Sequence, residues 1–235
     1  MIKTINKGVL SSNQLKVIAL VAMTFDHIGL YLMPHISWLR IVGRLAFPIF
    51  AYMIGEGCTY TSNRRKYLTN MLVLALVCQL ATFVVARSLY MCILVTFSLS
   101  IWVIYALDNA IKSKDLKSYI YAFASILAVV VITKVLPRIL GGTDFAVDYG
   151  FWGVMLPVAV YLPPKKSHKL LCALAVMIML SLRSSLIQWY SLASIVFLAL
   201  YNGTRGKWNM KNLFYIYYPA HIVAIYIIGY IIFVM

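Results

Sequence analysis

The chain has 235 residues, of which 63% are hydrophobic and 11% charged, with a formal net charge of +15 and a mean hydropathy of +0.88. A soluble domain is nearer half apolar and a quarter charged, so this composition excludes an ordinary soluble enzyme and fits an integral membrane protein. Apolar runs of about 16 to 23 residues, with no sustained period-two alternation, suit spanning helices and exclude a β-barrel.

The expected fold is an all-α polytopic membrane protein with about nine spans. They lie near 15–33, 37–57, 67–86, 89–107, 118–137, 147–162, 169–182, 185–201 and 213–235. A single membrane domain, 1–235, is expected, because no repeat, low-complexity tract or soluble segment interrupts it. The seventh and eighth runs meet at Arg183, Ser184 and Ser185, and can also form one broken or re-entrant element. The polar N-terminal segment lacks a small-residue cleavage site, so the first helix is expected to stay as an anchor.

Basic residues set the orientation. Lys3, Lys7, Lys16, Arg64, Arg65, Lys66, Lys112, Lys114, Lys117, Lys165, Lys166, Lys169, Arg205, Lys207 and Lys211 fall on one side of this layout. Arg40, Arg44, Arg87, Lys134, Arg138 and Arg183 fall on the other. The positive-inside rule then puts the N-terminus in the cytoplasm and the C-terminus outside it. Charges placed in short loops, not along one soluble face, argue against a nucleic-acid partner and for membrane lipids.

The first two runs read LKVIALVAMTFDHIGLYLMPHISWLRIVGRLAFPIFAYMIGEG and contain Lys16, Asp26, His27, Arg40, Arg44 and Glu56. An ionisable group at the centre of a spanning helix costs roughly 2.5–3.5 kcal/mol, so a hairpin with several is expected to use them. Asp26 and His27 diverge by about 100° on a helix and cannot share a face, whereas Lys16 and His27, close to three turns apart, can. His27 suits a general base in a polar cavity. Asp26 would then orient the imidazole through another group or bind an amine. The alternative is an Asp26 pair with Arg40 or Arg44 across the hairpin, with His27 as an interhelical hydrogen bond.

Arg40 and Arg44, four residues apart, share a face suited to a phosphate, a carboxylate or an oxyanion, or to compensating Asp26. Pro48 is expected to kink the second run. Glu56, between Gly55 and Gly57, allows close backbone approach near the cytoplasmic mouth. The four cysteines, Cys58, Cys78, Cys92 and Cys172, form no CxxC pair and read as small core hydrophobes, without a disulfide or metal role. The loop PRILGGTDFAVDYG, which contains Asp144 and Asp148, suits a lid or substrate site. Within it Asp148, beside Tyr149, is a helix cap or an amine ligand. Arg205 lies in the basic loop YNGTRGKWNMK, which suits a nucleotide phosphate but lacks Walker spacing. Tyr218 and His221 lie in FYIYYPAHI, where His221 is either catalytic or a satisfied core residue.

These motifs, in this order, resemble the TraX family of bacterial membrane proteins, linked to N-terminal acetylation of pilin. LKVIALVAMTFDHIG looks like the family's opening signature, and WLRIVGRLAFPIFAYMIGEG with Lys66-Tyr67 looks like its second. VDYGFWGV, YNGTRG and FYIYYPAHI follow in the expected order, and the likeness is thinner from about 80 to 145. The resemblance implies a polytopic acetyltransferase of the bacterial inner membrane that takes acetyl-CoA from the cytoplasm. Asp26 and His27 would be its centre, with Arg40, Arg44, Pro48 and Glu56 in the supporting motif. The expected reaction moves the acetyl group to an acceptor at the outer side, a peptide or pilin N-terminal amine. Lys16 and Arg205 are assigned to the donor, and Arg40, Arg44, Glu56, Asp148, Tyr149, Tyr218 and His221 to substrate. The competing reading is a proton-coupled secondary transporter with Asp, His and Arg as its relay.

Overall fold

The computed structural model describes residues 8–207 and 210–234, with the backbone alone at 211, 212, 214, 215, 233 and 234. Lys3, Lys7, Met235 and the Lys211 side chain lie outside what is described, as do 208 and 209 of the YNGTRGKWNMK loop. The helices in chain order are α1 (Ser12–Tyr31), α2 (Ser37–Gly43), α3 (Ala46–Tyr60), α4 (Arg64–Ala86), α5 (Ile93–Ser113) and α6 (Leu116–Val130). After a π turn at Val131–Val135 come α7 (Leu136–Ile139), α8 (Gly150–Tyr161) and α9 (Lys166–Ser181). A 3-10 helix, Leu186–Ala193, leads into α10 (Ser194–Ala199), and α11 (Lys211–Val234) follows.

The described residues are all-helical apart from two isolated bridges, Leu10 with Tyr201 and Met91 with Val147. Among the described residues, four stretches are long and apolar enough to cross a membrane: Ser37–Tyr60, Arg64–Ala86, Ile93–Ser113 and Leu116–Ile139. Along α4 the side chains of Leu72, Val73, Leu76, Val77, Leu80 and Val84 are all exposed. An uncovered apolar face of that length is costly in water and suited to lipid. The chain packs as two compact units, one of residues up to 53 with 177 onward, the other of residues 54–176.

In the first unit, α1 begins with a capping box. The Ser11 hydroxyl accepts from the Gln14 N–H, and the Gln14 side chain accepts from the Ser11 N–H at 2.8 Å. That arrangement satisfies two N–H groups that a helix start otherwise leaves open. The next N–H groups are taken by a distant loop: Ser12 donates to the Thr204 carbonyl at 2.8 Å and Asn13 to that of Arg205 at 3.1 Å. Gly206, at φ +94°, lets this loop close, since a Cβ there would meet the Ser11 hydroxyl at 2.8 Å. The YNGTRG segment thus spends its backbone on bracing α1.

The second predicted run is a single apolar stretch in length but not in geometry. It breaks at Arg44 and Leu45, between α2 and α3. Pro48 was the expected kink, and the break lies four residues before it for a physical reason. Proline offers no N–H to the carbonyl four residues back, here Arg44, and its ring crowds that carbonyl. The chain tightens instead, with Leu45 N–H bonded to the Val42 carbonyl at 3.1 Å.

The second unit is held at two sets of helix ends. At one, Asp108 near the end of α5 takes Arg64 at 2.6 Å, Lys112 at 2.7 Å and the Tyr161 hydroxyl at 2.8 Å. This joins the start of α4 to the ends of α5 and α8. At the other, Asp144 accepts from the Ser88 hydroxyl at 2.5 Å and the Leu89 N–H at 2.9 Å, while Asp148 accepts from Tyr90 at 2.8 Å. Between these ends the Ser100 hydroxyl on α5 donates to the Val154 carbonyl on α8 at 2.8 Å.

The Ser88 hydroxyl and the Leu89 N–H hold the exposed Asp144 carboxyl below its usual range. A depressed carboxylate stabilises the folded loop above the unfolded value, about 3.9, and loses that contribution as pH falls through its folded value. Protection of the 88–91 amides from hydrogen exchange is therefore expected to fall on acidification below about pH 4. The Asp144→Asn variant should lose that acid dependence; an identical pH profile in both proteins would contradict it.

Candidate functional site

Two glycines set the geometry of the site. A Cβ on Gly43 would overlap the Asp26 side chain, and one on Gly29 would meet the Leu39 Cβ at 2.8 Å. Without those atoms α1 and α2 come close enough for Asp26 to be bracketed from both sides. Arg40 donates through Nη1 to Asp26 Oδ2 at 2.8 Å and to its backbone carbonyl at 3.2 Å, and Arg44 donates through Nη2 to Oδ1. The Asp26 side chain is only 14% exposed and that of Arg44 11%. Of the two readings that the sequence left open for Asp26, the structure supplies the ion pair, made with both arginines at once. It uses the helix break, because Arg44 is the residue at which α2 ends.

His27 lies one residue on and faces α11. Its Nδ1 is 2.7 Å from Nε2 of His221, with the rings stacked at 4.9 Å. The His221 Nδ1 lies 2.8 Å from the Tyr217 carbonyl, which can only accept. For two neutral rings this fixes the tautomers. His221 donates from Nδ1 and accepts at Nε2, His27 donates from Nδ1, and the His27 Nε2 is left with the lone pair. The next contact runs the same way. Thr24 donates to the Leu20 carbonyl at 2.9 Å, so the Tyr217 hydroxyl, 2.6 Å away, donates to Thr24. Tyr217 stacks on the His221 ring at 5.3 Å and Tyr218 meets it edge-on at 5.7 Å.

Beside this ladder an open groove of about 420 Å³ runs between α1 and α11. Thr24, Tyr217 and His221 are its polar lining; Ile28, Leu32 and Ile228 are among its apolar lining. Arg40 and Arg44 lie within electrostatic range of His27. Toward the start of α1, Lys16 and Arg205 are in electrostatic range of each other, where both were assigned to the donor.

The structure thus gathers Asp26, His27, Arg40, Arg44, Tyr218 and His221 in one unit. Three other expected residues belong to the second unit and have partners there. Glu56 is bonded at 2.5 Å to Lys169, with both side chains buried. Asp148 is not the cap of α8: Tyr149, at φ 58°, occupies that position without a side-chain capping bond, and the Asp148 carboxylate holds Tyr90 instead. Sequence reading missed Thr24 and Tyr217 in the histidine ladder, and Lys169 and Asp108 in the second unit. Two of these carried a signal. Tyr217 lies one helical turn before His221, and Asp108 lies one turn before Lys112 inside an apolar run.

These features define an all-helical protein with the long apolar helices of a membrane protein and a paired-histidine site beside a bracketed carboxylate. The family model described as "TraX protein" matches residues 11–229. The chain belongs to the TraX family. It is 29% identical over 249 residues to the "Probable fimbrial assembly protein FimC, serogroup H1" of Dichelobacter nodosus, covering 92% of this chain and 94% of that one. It is also 35% identical over 100 residues to the "Uncharacterized protein RP591" of Rickettsia prowazekii (strain Madrid E), covering 42% of this chain and 38% of the other. No solved structure matches it.

If close approach at Gly43 is what allows the bracket, Gly43→Ala should push the helices apart and cost about 1–3 kcal/mol. Asp26→Ala, which leaves two arginines facing each other, is expected to cost at least as much. Thermal unfolding in detergent checks both. A Gly43→Ala midpoint equal to that of the wild type would show that the helices do not need the contact.

Proposed function

We propose that this protein is an acetyltransferase of the bacterial inner membrane. It takes the acetyl group of acetyl-CoA and transfers it to an N-terminal amine of an exported, pilin-like peptide. Membership of the TraX family supports this reading, as does the fimbrial assembly protein that the chain resembles over nearly its whole length. The observation that carries it is the ladder from Tyr217 through His221 to His27, which leaves a lone pair on the His27 Nε2. A neutral imidazole held in one tautomer by a second ring is suited to general-base work.

In the proposed reaction the acceptor nitrogen attacks the thioester carbonyl while the His27 Nε2 takes its proton. A C–N bond forms, the C–S bond breaks, and the imidazolium returns the proton to the departing CoA thiolate. The positive field of Arg40 and Arg44 stabilises the tetrahedral oxyanion, and Asp26 keeps those two cations in place. Lys16 and Arg205 attract the phosphates of CoA at the start of α1. From there to His27 is about 16 Å of helix, which an extended pantetheine arm spans.

The proposed topology has nine spans with a cytoplasmic N-terminus and an outer C-terminus. Loops that the charge layout puts on the same face are paired in the fold: residues 10–13 with 200–205, and 88–91 with 144–148.

The test is CoA release and peptide acetylation by the purified protein in detergent. The His27→Ala variant is expected to lose about 10²–10⁴-fold in turnover, with acetyl-CoA binding kept. A wild type that binds neither acetyl-CoA nor longer acyl-CoAs would sink this reading. Proton-coupled uptake lost in the same variant would favour the carrier.

A further inference from the structure

The second unit carries an open groove of about 260 Å³ between α4 and α5, lined by Leu68, Leu72, Ala75, Val95, Ser98 and Trp102 among others. Leu68, Leu72 and Ala75 are spaced by four and three residues, so they occupy one face of α4; Val95, Ser98 and Trp102 do the same on α5. The two helices run in opposite directions, since Arg64 at the start of α4 is paired with Asp108 near the end of α5. Small side chains make the groove deep: Ala75 and Ser98 are each only 3% exposed. The Ser98 hydroxyl is used within its own helix, on the Leu94 carbonyl at 2.8 Å. What the groove offers a ligand is therefore hydrocarbon. From Leu68 to Ala75 it runs about 10 Å, against about 15 Å for the hydrocarbon of one leaflet.

One end of the groove is different. Trp102 is the lining residue of α5 nearest Asp108, and its indole N–H donates to the Tyr121 hydroxyl on α6 at 2.7 Å. An indole only donates, so Tyr121 keeps its own O–H. Tyr121 is 52% exposed, and among the described residues that O–H meets no acceptor. Arg65 extends the face of Leu68, Leu72 and Ala75 by one more turn toward the helix start, with Lys66 beside it. Both are exposed, and among the described residues neither forms an ion pair, whereas Arg64 and Lys112 are both spent on Asp108. Side chains on a helix slope toward its N-terminus, so these two reach beyond the groove to the rim. From the rim inward the order is two unpaired cations, a hydroxyl donor and a hydrocarbon channel. A glycerophospholipid has the matching order of phosphate, ester and acyl chain.

We infer that the α4–α5 groove binds one acyl chain of an anionic phospholipid, with its phosphate on Arg65 and Lys66. The charge at the mouth selects the occupant. A zwitterionic headgroup brings a cation of its own toward those two side chains, and an anionic one does not. A helix of a partner or of a second copy, about 10 Å across, would lie over the groove and leave its floor unfilled. Trp102 and Tyr121 stand where indole and phenol rings are favoured, at the level of the headgroups. This inference is independent of the acetyltransfer reading.

The experiment is native mass spectrometry of the purified protein in detergent, with dioleoyl phosphatidylglycerol or dioleoyl phosphatidylcholine added. It compares the wild type with Arg65→Gln/Lys66→Gln, Leu72→Trp and Arg138→Gln. The wild type is expected to retain phosphatidylglycerol about tenfold more strongly than phosphatidylcholine. The double variant should hold the two lipids equally. Leu72→Trp fills the groove from a half-exposed position and should weaken both lipids alike, keeping their ratio. Arg138→Gln removes a cation that is not at this groove and should match the wild type. Should Leu72→Trp fail to fold, Leu68→Trp takes its place. The inference is overturned by equal retention in the wild type, or by a preference that survives the double variant or disappears in Arg138→Gln. Unchanged lipid binding in the folded tryptophan variant overturns it too, since charge alone then holds the lipid. So does a wild-type dimer that this variant turns into a monomer, because a second copy then covers the face.

Discussion

The bracketing of Asp26 by Arg40 and Arg44 is the constraint on which the first unit turns. A carboxylate between two guanidiniums in a low-dielectric interior is tolerable only if the three stay together, because breaking such a group strands a charge. Asp26 therefore fixes the rotation of α1. With that residue turned toward α2, the next position is rotated by about 100° and His27 is presented to α11. The histidine ladder is in this sense a consequence of the ion pair. Two adjacent residues that cannot share a face serve two different helices.

The same economy runs through the rest of the chain, which has only six acidic residues against 21 Lys and Arg. Asp26, Glu56 and Asp108, within the helices, each hold at least one base. Asp115, Asp144 and Asp148, at helix starts or in loops, receive hydrogen bonds from hydroxyl or backbone groups. Asp26, Glu56 and Asp108 join helices, Asp144 and Asp148 tie the same two loops together, and Asp115 caps its own helix.

Small residues and prolines decide where these fastenings fall. Gly43 admits the Asp26 side chain, and Gly55 lets α3 approach α8 at the Pro157 carbonyl, where a Cβ would sit 2.9 Å away. Pro48 ends the hydrogen-bond ladder so that α2 stops at Arg44. In a lipid environment, where apolar packing supplies no net drive between helices, close approach at small residues and interhelical polar contacts supply the specificity.

The sequence by itself determined the class and the neighbourhood of the site. Composition set a membrane protein, the length and period of its apolar runs set helices, and ionisable residues inside the first hairpin marked Asp26, His27, Arg40 and Arg44. These properties follow from transfer free energy and helical period, which act locally and can be read from the chain. The tertiary structure decided everything that depends on which face meets which helix. It paired His27 with His221 across 194 positions, placed Tyr217 behind His221, gave Glu56 to Lys169, and gave Asp148 to Tyr90 and not to the α8 cap, one of the two readings open for it. It also wound 186–193 into a 3-10 helix, where the sequence predicts an ordinary spanning helix. Hydrogen-bond partners that are distant in the chain leave no periodic trace in it, and only packing brings them together.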